Sequence, residues 1–201
     1  MPLAPLALLF ALDAITGPAR ATTPAQVGQP APDFSLGDTD GSVVQLSALR
    51  GKVVVLEWFN PDCPFVKHAY DTGLIPSLAS SWLGKGVVWL SINSGAPGKQ
   101  GHGAPRNAQA RADWHLSWPV LLDPSGVVGQ AYGARTTPQL FIVDPAGTLV
   151  YAGGLDNAPL GQVDGGSRMD YISAALSEVT GGAPVTTATS KPYGCSVKYG
   201  G

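Results

Sequence analysis

The feature that most constrains this chain is an apolar run that ends at a cysteine. Residues 52–59 are rich in β-branched side chains and are bounded by Gly51 and Asn60. Such a run suits a strand that is buried on both faces of a sheet. Pro64, directly after Cys63, suits the first turn of a helix, which we expect over about residues 64–83. The order strand, cysteine, helix predicts a βαβ unit at the centre of the fold.

The hydrophobic period then switches repeatedly between that of a strand and that of a helix. We expect further strands at residues 43–46, 87–92, 120–122, 139–143 and 149–151. We expect further helices at residues 107–114, 127–132 and 169–179. A chain that begins with a βαβ unit and ends as strand, turn, strand and helix predicts an α/β fold, with a mixed sheet and helices on both faces.

The composition is that of one globular domain with many loops. Of the 201 residues, 44% are hydrophobic, which is enough for a full core. The formal net charge of −2 argues against a nucleic-acid partner, because phosphate binding needs a basic face. Two cysteines are too few for a disulfide scaffold or a Cys-based zinc site. We assign residues 22–180 to the domain and residues 181–201 to a C-terminal tail that carries Cys195.

The first 21 residues have the pattern of a signal peptide. The apolar stretch from Leu3 to Ile15 is too short to span a bilayer, which takes about 20 residues, so we expect no stable membrane span. Small residues at Ala19 and Ala21 suit cleavage near Ala21. We therefore expect export to the periplasm or the outside of the cell, with a disordered N-terminal leader as the alternative.

Cys63 is the candidate nucleophile. It lies where a central strand ends and a helix begins, at the sheet edge where open α/β folds place their sites. The amides at the start of a helix favour a thiolate over a thiol, and the thiolate is the reactive form. Lys67 and His68 lie one turn further along and add positive potential. The alternative is an inert buried thiol.

Four segments resemble a known family. In chain order they are Gly28-Gln29-Pro30-Ala31-Pro32-Asp33-Phe34, Gly51-Lys52-Val53-Val54-Val55, Cys63-Pro64 and Thr137-Pro138. From about residue 25 to residue 179 the chain is similar to the thioredoxin-like redoxins of the alkyl hydroperoxide reductase/thiol-specific antioxidant family, the peroxiredoxin-like group. The resemblance implies a thioredoxin-like fold with an N-terminal β extension and an extended C-terminal tail. It also implies a cis peptide bond at Thr137-Pro138 facing Cys63, and no cofactor.

The departures from the family pattern bear on the type of activity. Thioredoxins have a second cysteine where this chain has Val66, and peroxiredoxins have Thr or Ser where it has Asn60. Peroxiredoxins also present an arginine to the peroxide, a role for which Arg135 is the candidate here. Glu57 resembles the buried acid that thioredoxins keep behind their cysteines, and it either passes protons or faces outward. The peroxidase machinery is thus incomplete.

Cys195 follows Cys63 by 132 positions, and the 15 residues after Thr180 are long enough to bring it back to the domain. One interpretation makes Cys195 a resolving thiol, which closes a disulfide with an oxidised Cys63 or attacks a mixed disulfide with a partner. The alternatives are a spare thiol or a static disulfide. The aromatic surroundings of Cys195, between Tyr193 and Tyr199, argue against a merely disordered tail.

Two hypotheses for the function follow. The first is a thiol oxidoreductase whose substrate is a hydroperoxide or a protein disulfide, with a thiol protein or a small thiol as reductant. The second is a non-catalytic binding module with a static disulfide or a bound metal. The three histidines His68, His102 and His115 do not have the spacing of a metal site, so we expect no metal.

Overall fold

The computed structural model describes residues 23–163 and 165–200. The predicted signal peptide lies outside these residues. Within them, no helix combines the length and the apolar character needed to cross a membrane.

A seven-stranded mixed sheet organises the chain. Its strands are β1 (Ser35–Asp38), β2 (Val43–Gln45), β3 (Val54–Trp58), β4 (Val88–Asn93), β5 (Val120–Leu122), β7 (Gln139–Val143) and β8 (Leu149–Gly153), and β6 (Thr136–Thr137) and β9 (Cys195–Ser196) form a separate pair. The order across the sheet is β2-β1-β5-β4-β3-β7-β8. Strands β3, β4 and β5 run parallel, whereas β1, β2, β7 and β8 pair antiparallel with their neighbours. This is the thioredoxin-like α/β fold that the resemblance implied, with β1 and β2 as the N-terminal extension.

Within the described residues, five α-helices accompany the sheet. They are α1 (Pro64–Asp71), α2 (Leu74–Leu83), α3 (Ala104–Asp113), α4 (Val127–Tyr132) and α5 (Tyr171–Thr180). The segment expected as one helix over residues 64–83 forms two helices, α1 and α2. The helix breaks there because Gly73 adopts a left-handed φ of 74°. Strand β1 was not predicted, and neither were the two-residue strands β6 and β9. Two residues are too few to show a period of alternation in the sequence.

Alternation along β3 separates two hydrophobic cores. Val54, Leu56 and Trp58 pack into one core, and Val55 packs into the other. All five residues of β3 are buried, as expected for a central strand with both faces covered. Cys63 belongs to the same core as Val55, and it lies just beyond the end of this strand.

The C-terminal tail packs back onto the domain instead of extending from it. We call residues 188–199 the strap. At one end the Ala152 amide donates to the carbonyl of Ala188 at 3.1 Å, beside β8. At the other end the Ala96 amide donates to the carbonyl of Lys198 at 2.8 Å. Between these points the strap crosses the edge of the sheet at Cys63.

Candidate active site

Cys63 is the N-cap of α1 and has no exposed surface. Its Sγ donates to the carbonyl oxygen of Thr137 at 3.0 Å. The Thr137-Pro138 bond is cis, as the resemblance implied. A cis proline turns the chain sharply, so that the carbonyl of the preceding residue faces the first turn of α1. Pro64 occupies the first helical position, where its missing N–H costs no hydrogen bond.

The strap brings Cys195 to the same peptide group. Strand β9 pairs antiparallel with β6, with Cys195 opposite Thr137 and Ser196 opposite Thr136. The chain comes this close because residue 194 is glycine, with φ of 136°, and a Cβ there would collide with the Thr137 carbonyl. The two thiols, distant in sequence, thus lie on either side of Thr137. Both are free cysteines in this structure.

The surroundings of Cys63 favour its thiolate. Burial by itself opposes the charge, but hydrogen bonds from the Cys195 thiol, from Thr137 and from the backbone amides of Val66 and Cys195 outweigh it and lower the pKa of Cys63. The Val66 amide belongs to the first turn of α1, where the helix dipole also favours a negative charge. Cys63 is therefore the group that ionises first.

Cys195 is the complementary proton donor. Burial, its hydrogen bond to Cys63 and the negative charge on Cys63 raise the pKa of Cys195 to about 11, although Lys198 opposes the rise. The pair therefore loses its first proton from Cys63 and keeps its second on Cys195. The arrangement gives the two sulfurs different chemical roles before any reaction begins.

Among the residues that the structure describes, the buried hydroxyl of Thr137 has no hydrogen-bond partner while Cys63 is a thiol. Its side chain is one of the groups that lower the pKa of Cys63, so ionisation of the sulfur gives this hydroxyl an acceptor. Unpaired buried hydroxyls are unfavourable, and a charged acceptor makes a strong hydrogen bond. Thr137 therefore stabilises the thiolate over the thiol.

Replacing Thr137 by the isosteric valine should raise the pKa of Cys63 by about 1, because one hydrogen bond to a charged group is lost. Thiolate absorbance against pH measures the change, in a Cys195→Ser background so that only one thiol titrates. Thr137→Ser keeps the hydroxyl and should keep the pKa low. Equal titration curves for the valine and serine variants would show that the hydroxyl has no such effect.

Asn60 shapes the turn before Cys63 and does not contact its sulfur. The Oδ1 of Asn60 accepts from the Asp62 amide at 2.9 Å, and its carbonyl accepts from the Cys63 amide at 3.0 Å. Its Nδ2 donates to the carbonyl of Gln100 at 3.3 Å, which ties the turn to the loop that follows β4. Asn60 is thus placed as a positioning residue for Cys63.

Arg135 and Lys67 both lie close to Cys63 in the fold, but neither charge acts on the pKa of Cys63. Arg135 is exposed, and it is its backbone carbonyl that binds the strap, by accepting from the Val197 amide at 2.9 Å. The Lys67 ammonium lies 6.0 Å from the centre of the Trp114 ring. Neither side chain is among the groups that shift the pKa of Cys63. In the part of the chain that the structure describes, no three His, Cys, Asp or Glu side chains cluster as metal ligands do.

Glu57 faces inward and is fully buried. Its carboxylate accepts hydrogen bonds from Tyr70 at 2.9 and 3.0 Å, from Trp89 at 2.9 Å and from Ser91 at 3.1 Å. Burial raises its pKa to about 7 although these hydrogen bonds oppose the rise. Tyr70 follows Cys63 by seven residues, about 10 Å along a helix axis, so Glu57 lies behind the site and not beside the sulfur.

Two tyrosines on either side of Cys195 hold the strap in place. The Tyr193 hydroxyl donates to Asp156 at 2.6 Å, and Arg168 pairs with the same carboxylate at 2.7 Å. The Tyr193 ring also packs on Phe65 of α1, with 6.0 Å between ring centres. Sequence reasoning did not find this contact. The sequence feature that indicated such a contact was the aromatic patch of the tail, which is unusual for a disordered segment.

The Tyr199 anchor lies on the other side of Cys195. Its hydroxyl donates to the carbonyl of Ala134 at 2.8 Å. Its ring packs against Gly126 and Gly129, where a Cβ would clash with it. Cys195 is thus held from both directions.

Comparison with known proteins agrees with this geometry. The AhpC/TSA family profile matches residues 27–152, more than half of the chain. The chain belongs to the AhpC/TSA family. Among AhpC/TSA-like relatives, the thiol-disulfide oxidoreductase ResA of Bacillus subtilis is 29% identical over 126 residues, which are 61% of this chain and 64% of the relative. The alignment thus spans less than two thirds of that relative's length.

Two solved structures are similar over most of the chain. An uncharacterized conserved protein from Geobacillus kaustophilus has a TM-score of 0.78 at 29% identity, covering 87% of this chain and 93% of its own. A hypothetical protein from Sinorhizobium meliloti has a TM-score of 0.76 at 27% identity, covering 89% and 97%. The family and the name of the Bacillus subtilis relative support the prediction of an oxidoreductase.

Proposed function

We propose that this chain is a thiol-disulfide oxidoreductase in which Cys63 is the attacking thiol and Cys195 the resolving thiol. The observation that carries the proposal is the pairing of β6 with β9, which sets Cys195 opposite Thr137 while Cys63 bonds to the carbonyl of Thr137. A single peptide group thus positions both sulfurs. The lowered pKa of Cys63 and the raised pKa of Cys195 assign the two roles.

In the first step the Cys63 thiolate attacks one sulfur of a substrate disulfide. A bond forms between Cys63 and that sulfur, the substrate S–S bond breaks, and the second substrate sulfur leaves as a thiolate. The product is a mixed disulfide at the start of α1. The groups that lower the pKa of Cys63 increase the fraction of the attacking sulfur that is a thiolate.

In the second step Cys195 attacks the Cys63 sulfur of the mixed disulfide. A Cys63–Cys195 disulfide forms and the substrate leaves as its second thiolate, so the substrate has gained two electrons and the protein has lost two. Once Cys63 is in a disulfide, its negative charge no longer raises the pKa of Cys195. The pKa of Cys195 then falls towards its ordinary value, and the thiol becomes a better nucleophile when it is needed. An external thiol returns the protein to its reduced form.

A protein disulfide suits the site better than a hydroperoxide. The family's peroxide-binding hydroxyl is replaced by Asn60, whose side chain is engaged in the turn before Cys63. Arg135, the candidate for the peroxide-binding arginine, is exposed and is not among the groups that lower the pKa of Cys63. The edge of β6, in contrast, accepts an extended segment through backbone pairing, as β9 does. Export, as expected from the first 21 residues, would place the protein where disulfides persist.

Mixing the reduced protein separately with oxidised glutathione and with hydrogen peroxide tests the proposal. With oxidised glutathione both thiols of the chain should be lost, at least about tenfold faster than for free cysteine, because the lowered pKa of Cys63 increases its thiolate fraction. With hydrogen peroxide the rate should be no greater than for free cysteine. Fast reaction with peroxide would make a hydroperoxide the substrate. No fast reaction with either oxidant would favour the non-catalytic binding module.

A further inference from the structure

The strap covers the surface that a protein substrate of the proposed reaction needs. Cys63 has no exposed surface in this structure, and β9 occupies the backbone edge of Thr136 and Thr137. An extended substrate segment cannot pair with β6 while β9 is there. The strap and a substrate therefore compete for one edge.

The part of the strap that covers Cys63 is held at the surface of the domain. It is held by its pairing with β6, by hydrogen bonds at Val197, Lys198 and Tyr199, by Tyr193 against Asp156 and Phe65, and by the Tyr199 ring against Gly126 and Gly129. Residues 188–190 are bonded separately, beside β8. Cys195 and its neighbours in the strap are partly or fully exposed. Segments with exposed hydrogen bonds and little buried apolar surface open at low free-energy cost.

The strap also shows the chemistry of the segment that can replace it. Opposite Thr137 lies a cysteine, directly before it lies Gly194, and the segment runs antiparallel to β6. A side chain at the position of Gly194 would collide with the Thr137 carbonyl, which is the acceptor for Cys63. The need for glycine at this position comes from the Thr137 carbonyl, so it applies equally to any segment that pairs with β6.

We propose that the strap is a displaceable internal copy of the substrate, and that the substrate is an extended protein segment with the sequence Gly-Cys, its cysteine in a disulfide, paired antiparallel with Thr136–Thr137. This inference rests on the proposed function and specifies its substrate. The substrate displaces the strap to reach Cys63. When the strap returns, it brings Cys195 to the mixed disulfide and expels the substrate, so that release and resolution are one event.

The test measures the reaction of two peptides with the full chain carrying Cys195→Ser. This substitution prevents the second step, in which Cys195 attacks the mixed disulfide. The peptides are Tyr-Gly-Cys-Ser-Val-Lys-Tyr, the sequence of residues 193–199, and the same peptide with alanine for glycine. Each carries thionitrobenzoate in a disulfide on its cysteine. Attack of Cys63 on the peptide sulfur forms the mixed disulfide, breaks the probe's S–S bond and releases coloured thionitrobenzoate, the better leaving thiolate.

To release the strap, Gly194→Ala is added to the Cys195→Ser chain. The matched control is the Cys195→Ser chain with Gly200→Ala. A Cβ at Gly200 meets the Cβ of Ala96 at 3.6 Å, an ordinary contact. With Gly194→Ala, exchange of the Val197 amide hydrogen should become at least about tenfold faster, and so should the reaction with the Gly-Cys peptide. The Ala-Cys peptide should react about tenfold more slowly than the Gly-Cys peptide in this variant. The Gly200→Ala chain should behave like the Cys195→Ser chain.

The outcomes separate failure of the inference from failure of the function. Equal rates for the two peptides in the released chain would overturn the Gly-Cys substrate, whatever the absolute rates are. An unprotected Val197 amide in the Cys195→Ser chain would overturn the docked strap. If both peptides and the simple reagent dithionitrobenzoate react with the released chain no faster than with free cysteine, Cys63 is not activated, and the proposed function fails with the inference.

Discussion

Replacing Cys63 by serine should abolish disulfide exchange completely, and this is the largest effect we expect of any substitution. A serine hydroxyl in the same surroundings stays protonated at neutral pH and cannot form a disulfide, so no mixed disulfide forms. Mixing with oxidised glutathione, followed by mass spectrometry of the intact chain, measures the result. The expected product is unmodified protein with Cys195 still a free thiol, because burial, the largest cause of the raised pKa of Cys195, remains when the Cys63 thiolate is absent.

Cys195→Ser is the matched variant, with the other thiol removed. The first step should survive, slowed by less than about tenfold, because serine can replace the hydrogen bond from Cys195 to the Cys63 thiolate. The second step cannot occur, so the glutathione mixed disulfide at Cys63 should accumulate. If instead Cys195 becomes modified in the Cys63→Ser chain at the rate of the unaltered protein, the assignment of the two sulfurs is reversed.

Glu57 should make the stability of the protein fall as the pH rises from about 4.5 to about 7. Its pKa rises from 4.5 to about 7 on folding, because burial penalises the charged form. The folded state therefore binds the proton more tightly than the unfolded state, and the free energy of unfolding decreases with pH across this range. Integrated over the range, the loss is about 3 kcal/mol, since each pKa unit corresponds to about 1.4 kcal/mol.

Urea unfolding of the unaltered protein and of Glu57→Gln at pH 4, 6 and 8 measures this contribution. Glutamine does not titrate, so the variant should gain about 3 kcal/mol relative to the unaltered protein between pH 4 and pH 8. The control is Glu178→Gln, since Glu178 is only partly buried and a hydrogen bond from Thr186 lowers its pKa. That variant should change in the opposite direction, losing stability relative to the unaltered protein as the pH rises. Parallel curves for Glu57→Gln and the unaltered protein would contradict the buried titration.

Much of the fold could be predicted because its strands and helices have recognisable local sequence patterns. Strands β5 and β7 and helix α4 have the predicted bounds, since each is marked by a clear period and by turn residues at its ends. The two-residue strands β6 and β9 could not be predicted, because their pairing joins segments about 60 residues apart in the chain. Pairing at that distance depends on the surrounding fold and not on a local period.

The sequence by itself determined that Cys63 lies at the start of a helix, whereas the cis bond before Pro138 was implied by the family resemblance. The helix start depends on neighbouring residues, whose backbone preferences act over a few positions. Only the tertiary structure decided that Cys195 lies opposite Thr137, that Glu57 faces inward, and that neither Asn60 nor Arg135 is among the groups that lower the pKa of Cys63. Each of these depends on which distant segments pack together, and packing of distant segments is set by burial and hydrogen bonding in the whole domain.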